Sequence, residues 1–305
     1  MAVAGLARAS QPQLSIVATT GMIADAARQV GSEAVTVRAL MGAGVDPHAY
    51  RQTRTDIAAL VSADLVLWHG LYLEAQMEAF FADLAEKRRV IPVAETLPKE
   101  RLLAHDDYAD KFDPHVWMDP ALWSLVVGAV QAALTEARPQ AEAALAARAK
   151  AHLAEIDALA AYADRVLASV PEDRRVLLTA HDAFNYFGSA YGYEVLGIQG
   201  ISTESEAGLN RIAELVDMIV ERRIGAVFVE SSVSDRNMRA LIEGAAAKGH
   251  DVAIGGELFS DAMGPEGSYE GTYLGMIDHN ATTIARALGG DAPAGGRLGR
   301  LAAEG

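Results

Sequence analysis

The apolar positions of this chain form short β-branched runs that alternate with longer stretches of helical period. These runs predict four strands in each half of the chain. The strands are expected at residues 14–19, 35–40, 64–68 and 90–93, and again at 176–179, 194–198, 226–229 and 251–254. Strands that alternate with helices are typical of parallel α/β folds. The pattern therefore predicts an α/β protein with two similar lobes, each built on a parallel sheet.

A long segment without glycine or proline separates the two halves. Residues 141–170 consist mainly of Ala, Leu, Glu, Arg and Lys, which are good helix formers, and a proline stands near each end. A helix of this length spans about 45 Å. We therefore expect one long rigid helix, residues 139–171, to join a first lobe of residues 14–138 to a second lobe of residues 172–290.

Both ends of the chain are expected to be flexible. Residues 1–13 carry small residues like those at the end of a secretory signal peptide, without a full apolar region or a basic beginning. We interpret them as the remnant of a cleaved signal, and a frayed N-terminus is the alternative. Residues 291–305 are rich in Gly and Ala, and we expect them to fray.

Composition restricts the partners and the chemistry. The chain has 41 acidic against 26 basic residues, a net charge of −15 and no basic cluster, so we expect no nucleic-acid partner. No apolar run reaches the roughly 18 residues that span a bilayer. Cysteine is absent, so a metal would have to be held by His, Asp or Glu.

The motif Asp-Pro-His occurs twice. Among eight histidines, His48 and His115 each follow an Asp-Pro pair, in DPHAY and in DPHVWMDP. Proline fixes its own φ and biases the preceding Asp toward extended conformations, so each imidazole is presented from a stiff turn. Imidazole suits zinc and other late first-row metals. The motif therefore indicates a metal site, and an ordinary surface turn is the alternative.

Two further residues are candidates for the same site. His181 follows the run VLLTA, and open α/β sheets bind ligands beyond the carboxyl ends of their strands. His181 could instead begin a helix, with Asp182 near the helix N-terminus. Asp261, in GGELFSDAMG, could equally belong to a turn, and its spacing alone does not select it.

Five motifs in order carry a family resemblance. They are DPHAY, DPHVWMDP, TAHDAFNYFGSAYGYEVLGIQGISTESEAG, VFVESS and GGELFSDAMG. From about residue 14 to residue 288 the chain resembles the metal-binding solute-binding proteins of manganese and zinc ABC transporters, the cluster A-I family. The resemblance implies two α/β lobes joined by one long helix, with a single divalent metal at their interface.

The resemblance also implies the metal ligands, which are His48, His115, His181 and Asp261. Each lobe would supply two of them. Members that prefer manganese often have Glu where His181 stands, so this chain resembles the branch with three histidines and one aspartate. Nitrogen-rich sites favour zinc and oxygen-rich sites suit manganese. Members of this branch are associated with either metal, so the expected cargo is one Zn²⁺ or Mn²⁺ per chain.

The other histidines are assigned different roles. His69 lies where the family commonly shows Asn, and we expect it to pack or to support the site without binding metal. His105 and the acidic residues 106 and 107 lie where zinc specialists often carry a long His-rich loop, and a solvated acidic loop is favoured over an outer metal site. Three more are expected to be structural or solvated: His152, His250 and His279.

Three acidic residues are candidates for supporting roles. Asp46 and Asp113 could each accept the free ring N–H of a ligating histidine, or could simply cap their own turns. Glu230, in VFVESS, is expected to hydrogen-bond or to balance charge near the cleft without binding metal.

The resemblance thus implies an extracytoplasmic carrier, periplasmic or membrane-associated, that captures a divalent metal and delivers it to the permease of an ABC transporter. We expect a monomer. We also expect no enzymatic activity, because four protein ligands leave no open position of the kind a catalytic zinc keeps. The alternatives are a metal-dependent hydrolase of the H…HD…D type and an adhesin-like interaction protein. Affinity is expected to fall as the pH drops through roughly 6.5, because histidines bind metal in their neutral form.

Overall fold

The computed structural model describes residues 12–105 and 108–302, and its first lobe is built on a four-stranded parallel sheet. The strands are β1 (Leu14–Ala18), β2 (Val35–Ala39), β3 (Leu65–Trp68) and β4 (Val90–Pro92). Their order is β2-β1-β3-β4, and every neighbouring pair is parallel. The helices are α1 (Gly21–Gly31), α2 (Arg54–Ser62), α3 (Glu78–Ala85) and α4 (Pro120–Ala137).

The second lobe contains two parallel strand pairs. Its strands are β5 (Val176–Thr179), β6 (Glu194–Gly197), β7 (Ala226–Glu230) and β8 (Ala253–Leu258). β5 pairs with β6 and β7 with β8, and β5 lies beside β7. The helices are α6 (Asn185–Tyr191), α7 (Leu209–Arg222), α8 (Arg236–Ala247) and α9 (Tyr273–Ala287). The two lobes with parallel sheets expected from the sequence are confirmed.

One long helix joins the lobes, as expected. Helix α5 (Glu142–Ala168) has 27 residues and follows a short 3₁₀ turn at Pro139–Ala141. It packs against α1 and α4 of the first lobe and against α9 of the second. A single hydrophobic cluster therefore includes residues of both lobes and of α5. This shared core holds the lobes together at the cleft where the candidate site lies.

The side of the cleft formed by α4 is closely packed. Trp123 of α4 stacks on Tyr273 of α9, with ring centroids 5.1 Å apart.

Helix α4 is also unusually apolar. Within the described ranges it is the one helix whose length and composition would allow it to cross a membrane, and buried core helices of globular proteins meet the same criteria. Its start is set by the DPHVWMDP motif, because Asp119 accepts the backbone N–H of Ala121 at 2.8 Å and Pro120 occupies the first helical position.

Strand β8 departs from its prediction. It was expected at 251–254 and runs over Ala253–Leu258, because the adjacent glycines 255 and 256 lack strand propensity and hide its continuation. A Cβ on Gly256, whose φ is +151°, would lie 2.4 Å from Cγ2 of Thr283 in α9. A Cβ on Gly255 would lie 2.8 Å from Cβ of Ala287. The glycines allow α9 to pack directly on the strand that leads to Asp261.

The structure does not test the flexibility expected at the two termini. Of the predicted signal remnant, residues 1–11 lie outside the described residues. The flexible tail at 291–305 stays a prediction. Its described part contacts the second lobe, since the backbone N–H of Arg297 donates to Asp278 at 2.9 Å and that of Ala302 donates to Glu270 at 2.8 Å.

Candidate metal centre

Four metal-capable side chains meet at one buried point between the lobes. A ring nitrogen or carboxylate oxygen from each of His48, His115, His181 and Asp261 lies within 4.8 Å of the other three. The most exposed of them, His48, has only 3% of its surface accessible. These are the four residues predicted from the sequence, two from each lobe.

Each of the four follows a strand or a stiff turn. His48 lies in the loop between β2 and α2, and His115 directly precedes the 3₁₀ turn Val116–Met118 that leads into α4. His181 and Asp261 follow the carboxyl ends of β5 and β8. The carboxyl ends of parallel strands lie on the same side of a sheet, where α/β proteins bind ligands.

The donor atoms point toward a common centre. Nε2 of His48 lies 3.3 Å from Nε2 of His115. The carboxylate of Asp261 lies 3.3 Å from Nε2 of His115 and 3.2 Å from Nε2 of His181. The three rings thus direct their Nε2 atoms at one another and at the carboxylate.

Buried carboxylates orient two of the rings. Oδ1 of Asp113 accepts from Nδ1 of His115 at 2.7 Å and from its backbone N–H at 2.9 Å. Oε2 of Glu230 accepts from Nδ1 of His181 at 2.6 Å, and Oε1 accepts the backbone N–H of His181 at 2.9 Å. Because each Nδ1 carries the donated hydrogen, each Nε2 is left to face the centre.

The turn of His48 is held differently. Oδ1 of Asp46 accepts the backbone N–H of His48 at 2.8 Å, and Oδ2 accepts the hydroxyl of Thr203 from the other lobe at 2.6 Å. Of the two roles considered for these aspartates, Asp46 caps its turn, whereas Asp113 both caps its turn and binds the ring.

The electrostatics of the centre follow from burial and close charges. Burial lowers the pKa of His48 to about 3. Burial also acts to lower the pKa of His115, but the carboxylates of Asp113 and Asp261 outweigh it and raise that pKa to about 9. For His181, burial is outweighed by Asp261 and Glu230, which raise its pKa well above the usual value. The centre therefore attracts positive charge.

Several buried polar atoms at the centre lack a hydrogen-bond partner. Among the described residues, both carboxylate oxygens of Asp261 and Nε2 of His181 have none, because their close contacts lack hydrogen-bond geometry. Burial acts to raise the pKa of Asp261, but the histidines outweigh it and hold that pKa well below its usual range. A buried, ionised carboxylate needs a compensating positive charge, which the rings of His115 and His181 supply at 3.2–3.3 Å and which a bound cation would supply in their place.

Some supporting contacts were missed by the sequence predictions. Glu230 was expected near the cleft, but its pairing with His181 was not foreseen; its position at the end of β7, beside β5, was the available signal. Asn185 and Tyr186 were not singled out. Nδ2 of Asn185 donates to Oδ2 of Asp113 at 3.1 Å, and the hydroxyl of Tyr186 donates to the Asp113 carbonyl at 3.0 Å. These two residues tie the second lobe to the DPHVWMDP turn.

The remaining histidines lie outside the set of four. His250 and His279 lie within 2.8 Å of backbone carbonyls, of Ile224 and Glu257 respectively, and His152 is buried in α5. The alternative in which His181 begins a helix is wrong, because α6 begins at Asn185. The acidic residues 106 and 107, considered for an outer site with His105, lie outside the described residues.

Comparison with known proteins identifies the family. The model of the family described as the zinc-uptake complex component A, periplasmic (ZnuA), matches residues 16–287. The manganese-binding lipoprotein MntA of Bacillus subtilis is 46% identical over 92% of this chain and 92% of its own length. The zinc-binding protein TroA of Treponema pallidum is 47% identical over 90% of this chain and 88% of its own length.

The solved structures agree with the sequences. The structure of periplasmic zinc-binding TroA from Treponema pallidum superposes with a TM-score of 0.89 at 46% identity, and covers 91% of this chain and 99% of that protein. The family model and these relatives extend over both lobes and the linking helix. The chain therefore belongs to the ZnuA family, the periplasmic component A of zinc-uptake complexes.

Proposed function

We propose that this protein captures one divalent transition metal, zinc or manganese, outside the cytoplasm and delivers it to the permease of an ABC transporter. The proposed ligands are His48, His115, His181 and Asp261. The observation that carries the proposal is their convergence at a single buried point, where the oxygens of Asp261 lack hydrogen-bond partners among the described residues. A carrier needs such a site because it must hold its cargo away from water until delivery.

The donor set supports tight binding without chemistry. Three imidazoles and a carboxylate can complete the coordination shell of zinc, whereas a catalytic zinc keeps one position for water. The ZnuA family consists of transporter substrate-binding proteins and not of enzymes, which supports the carrier over the metal-dependent hydrolase. The relatives are periplasmic proteins or lipoproteins, and we assign this chain to the same side of the membrane.

The identity of the metal follows from the donors and not from the relatives. TroA, named for zinc, and MntA, named for manganese, are almost equally similar to this chain, at 47% and 46% identity. Nitrogen donors and the Irving–Williams order favour zinc over manganese. We infer that the isolated protein binds zinc more tightly, and that supply in the cell decides how much manganese it carries.

The partners follow from the family. A substrate-binding component works with the permease of its transporter, and the metal ion is its ligand. We propose that the carrier acts as a monomer and does not bind nucleic acid, the latter because of its net charge of −15.

Metal analysis combined with competitive titration tests the proposal. Purified protein, stripped and reloaded, should bind one zinc ion per chain, and manganese should displace it poorly. Asp261→Ala should weaken binding of both metals, whereas His181→Glu should weaken zinc binding more than manganese binding, because it replaces a nitrogen by an oxygen donor. If the wild-type chain bound neither metal stoichiometrically, the proposed function would be wrong.

A further inference from the structure

His69 is buried beside the metal centre but is not one of its four donors. It follows β3 directly and is fully inaccessible to solvent. Its Nε2 atom lies 2.7 Å from the carbonyl oxygen of Pro114. A carbonyl oxygen only accepts, so Nε2 of His69 carries the hydrogen. Its other ring nitrogen, Nδ1, is buried and has no hydrogen-bond partner in the described part of the chain.

The accepting carbonyl belongs to the peptide that carries His115. The same peptide donates its N–H, that of His115, to Oδ1 of Asp113 at 2.9 Å. The carbonyl also accepts the backbone N–H of Val116 at 2.7 Å. Because a peptide is planar, fixing its carbonyl and its N–H fixes the N–Cα bond of His115, and the bond from Val116 closes a tight turn around His115 (φ −76°, ψ 40°) that sets where its side chain leaves the backbone. His69 therefore acts on the orientation of a proposed ligand without touching the metal.

The backbone of His69 is itself anchored. Glu74 accepts the N–H of His69 at 2.8 Å, the N–H of Gly70 at 3.1 Å and the hydroxyl of Thr19 at 2.6 Å. The chain turns back between His69 and Glu74 through three consecutive residues with positive φ, which are Gly70 (81°), Leu71 (51°) and Tyr72 (71°). This turn brings the carboxylate of Glu74 to the N–H groups of His69 and Gly70. Non-glycine residues adopt this conformation at an energetic cost, and such strain gathers at functional sites.

His69 also contacts the other side of the centre indirectly. Its ring lies edge-on to Trp117, with centroids 5.1 Å apart. The indole N–H of Trp117 donates to the carbonyl of Ser260, which precedes Asp261, at 2.8 Å. One side chain thus packs between the turn of His115 and the tryptophan that reaches the Asp261 segment.

We propose that His69 is a positioning residue of the metal centre, which aims His115 by donating its Nε2 hydrogen to the Pro114 carbonyl. The inference rests on the proposed function. It predicts that loss of this donor weakens metal binding while the chain remains folded, because the Pro114 carbonyl keeps its bond from Val116. It also predicts that a side chain with a donor at the same reach restores binding.

The test uses full-length His69→Leu and His69→Gln with zinc and cobalt as probes. Leucine has similar bulk without a donor, whereas the amide nitrogen of glutamine reaches the position of Nε2. His69→Leu should lose about 10- to 100-fold in zinc affinity and change the visible spectrum of the bound Co²⁺, which reports coordination geometry. His69→Gln should restore both to near wild-type values. Should His69→Leu not fold, His69→Met replaces it, because an unbranched side chain fits irregular space.

The matched control is His250→Leu. His250 likewise places Nε2 2.8 Å from a backbone carbonyl, that of Ile224, but outside the set of four donors, and this variant should bind both metals like the wild type. Wild-type affinity in folded His69→Leu, or an equal loss in His69→Leu and His69→Gln, would overturn the inference. Both results are interpreted only if the wild-type protein binds zinc. A wild-type protein that does not bind zinc would contradict the proposed function and not the role of His69.

Discussion

Nδ1 of His181 lies 2.6 Å from Oε2 of Glu230, and both side chains are fully buried. The second oxygen of Glu230 accepts the backbone N–H of His181 at 2.9 Å. One carboxylate therefore fixes both the backbone and the ring of a proposed ligand, and it leaves Nε2 facing Asp261. The pair joins β5 to β7, so the geometry of the site depends on the packing of the second lobe.

Removing the charge of Glu230 should weaken metal binding. Glu230→Gln has a single acceptor oxygen, so it can bind Nδ1 or the backbone N–H of His181 but not both, and it also loses the negative charge that makes the imidazole a better donor to metal. We expect zinc affinity to fall by about 10- to 100-fold, measured by competition with a chromophoric chelator. Glu257→Gln, on the exposed side of β8, is the charge-matched control and should bind normally. Equal affinity in both variants would show that Glu230 does not tune the site.

Metal binding should release protons across the neutral range. The pKa of His115 is raised to about 9, so in the metal-free protein its ring is protonated at pH 7 and must lose that proton to bind. The pKa of His181 is also raised, so its ring adds to this proton release. The pKa of His48 is about 3, so this ring is already neutral.

Calorimetry in buffers of different ionisation enthalpy measures this release. Affinity should keep rising as the pH increases from 7 toward about 9. The raised pKa of His115 thus predicts that weakening begins at a higher pH than the 6.5 expected for an ordinary imidazole. Affinity that stays constant above pH 7, with no proton released, would contradict the protonated state expected for His115 in the metal-free protein.

Zinc should stabilise the folded protein strongly. A ligand that binds only the folded state adds about 4 kcal/mol to the free energy of unfolding at 1,000 times its Kd. The thermal midpoint should rise on adding zinc and fall again with a chelator. Asp261→Ala should abolish most of this shift, whereas Asp217→Ala, which removes an exposed ion pair with Lys248, should leave it intact. A full shift in Asp261→Ala would remove Asp261 from the ligand set.

The linking helix should contribute to stability more than to binding. Leu159 is fully buried in α5, and Leu159→Ala should lower the free energy of unfolding by about 2–5 kcal/mol. Leu125 of α4 is 42% exposed, and Leu125→Ala should cost about 0.5 kcal/mol. Urea unfolding of the metal-free protein measures both. A cost as small for Leu159 as for Leu125 would mean that α5 does not share the core of the two lobes.

Local sequence patterns were sufficient for most of the architecture. Seven of the eight strands lie close to their predicted positions, and α5 lies within residues 139–171, because β-branched runs and unbroken helix formers encode their conformation locally. The repeated Asp-Pro-His turn likewise pointed to His48 and His115, since proline stiffens the backbone wherever it stands. The predicted position of strand β8 was wrong because its two glycines are required by close contact with α9, and a contact between distant segments leaves no local sequence pattern.

The composition of the site was decided by contacts between residues far apart in the chain. Asp261 was indistinguishable from a turn residue until it was matched to a family motif, and in the folded chain it lies within 3.3 Å of His115 in the other lobe. The pairing of His181 with Glu230, the support of the Pro114 carbonyl by His69 and the raised pKa of His115 all depend on which side chains are buried together. The sequence alone determined which residue types were present on stiff turns and strand ends. Only tertiary packing decided which of them are buried together in one site. Side chains become buried and charged groups come close to one another when the two lobes pack on a common core.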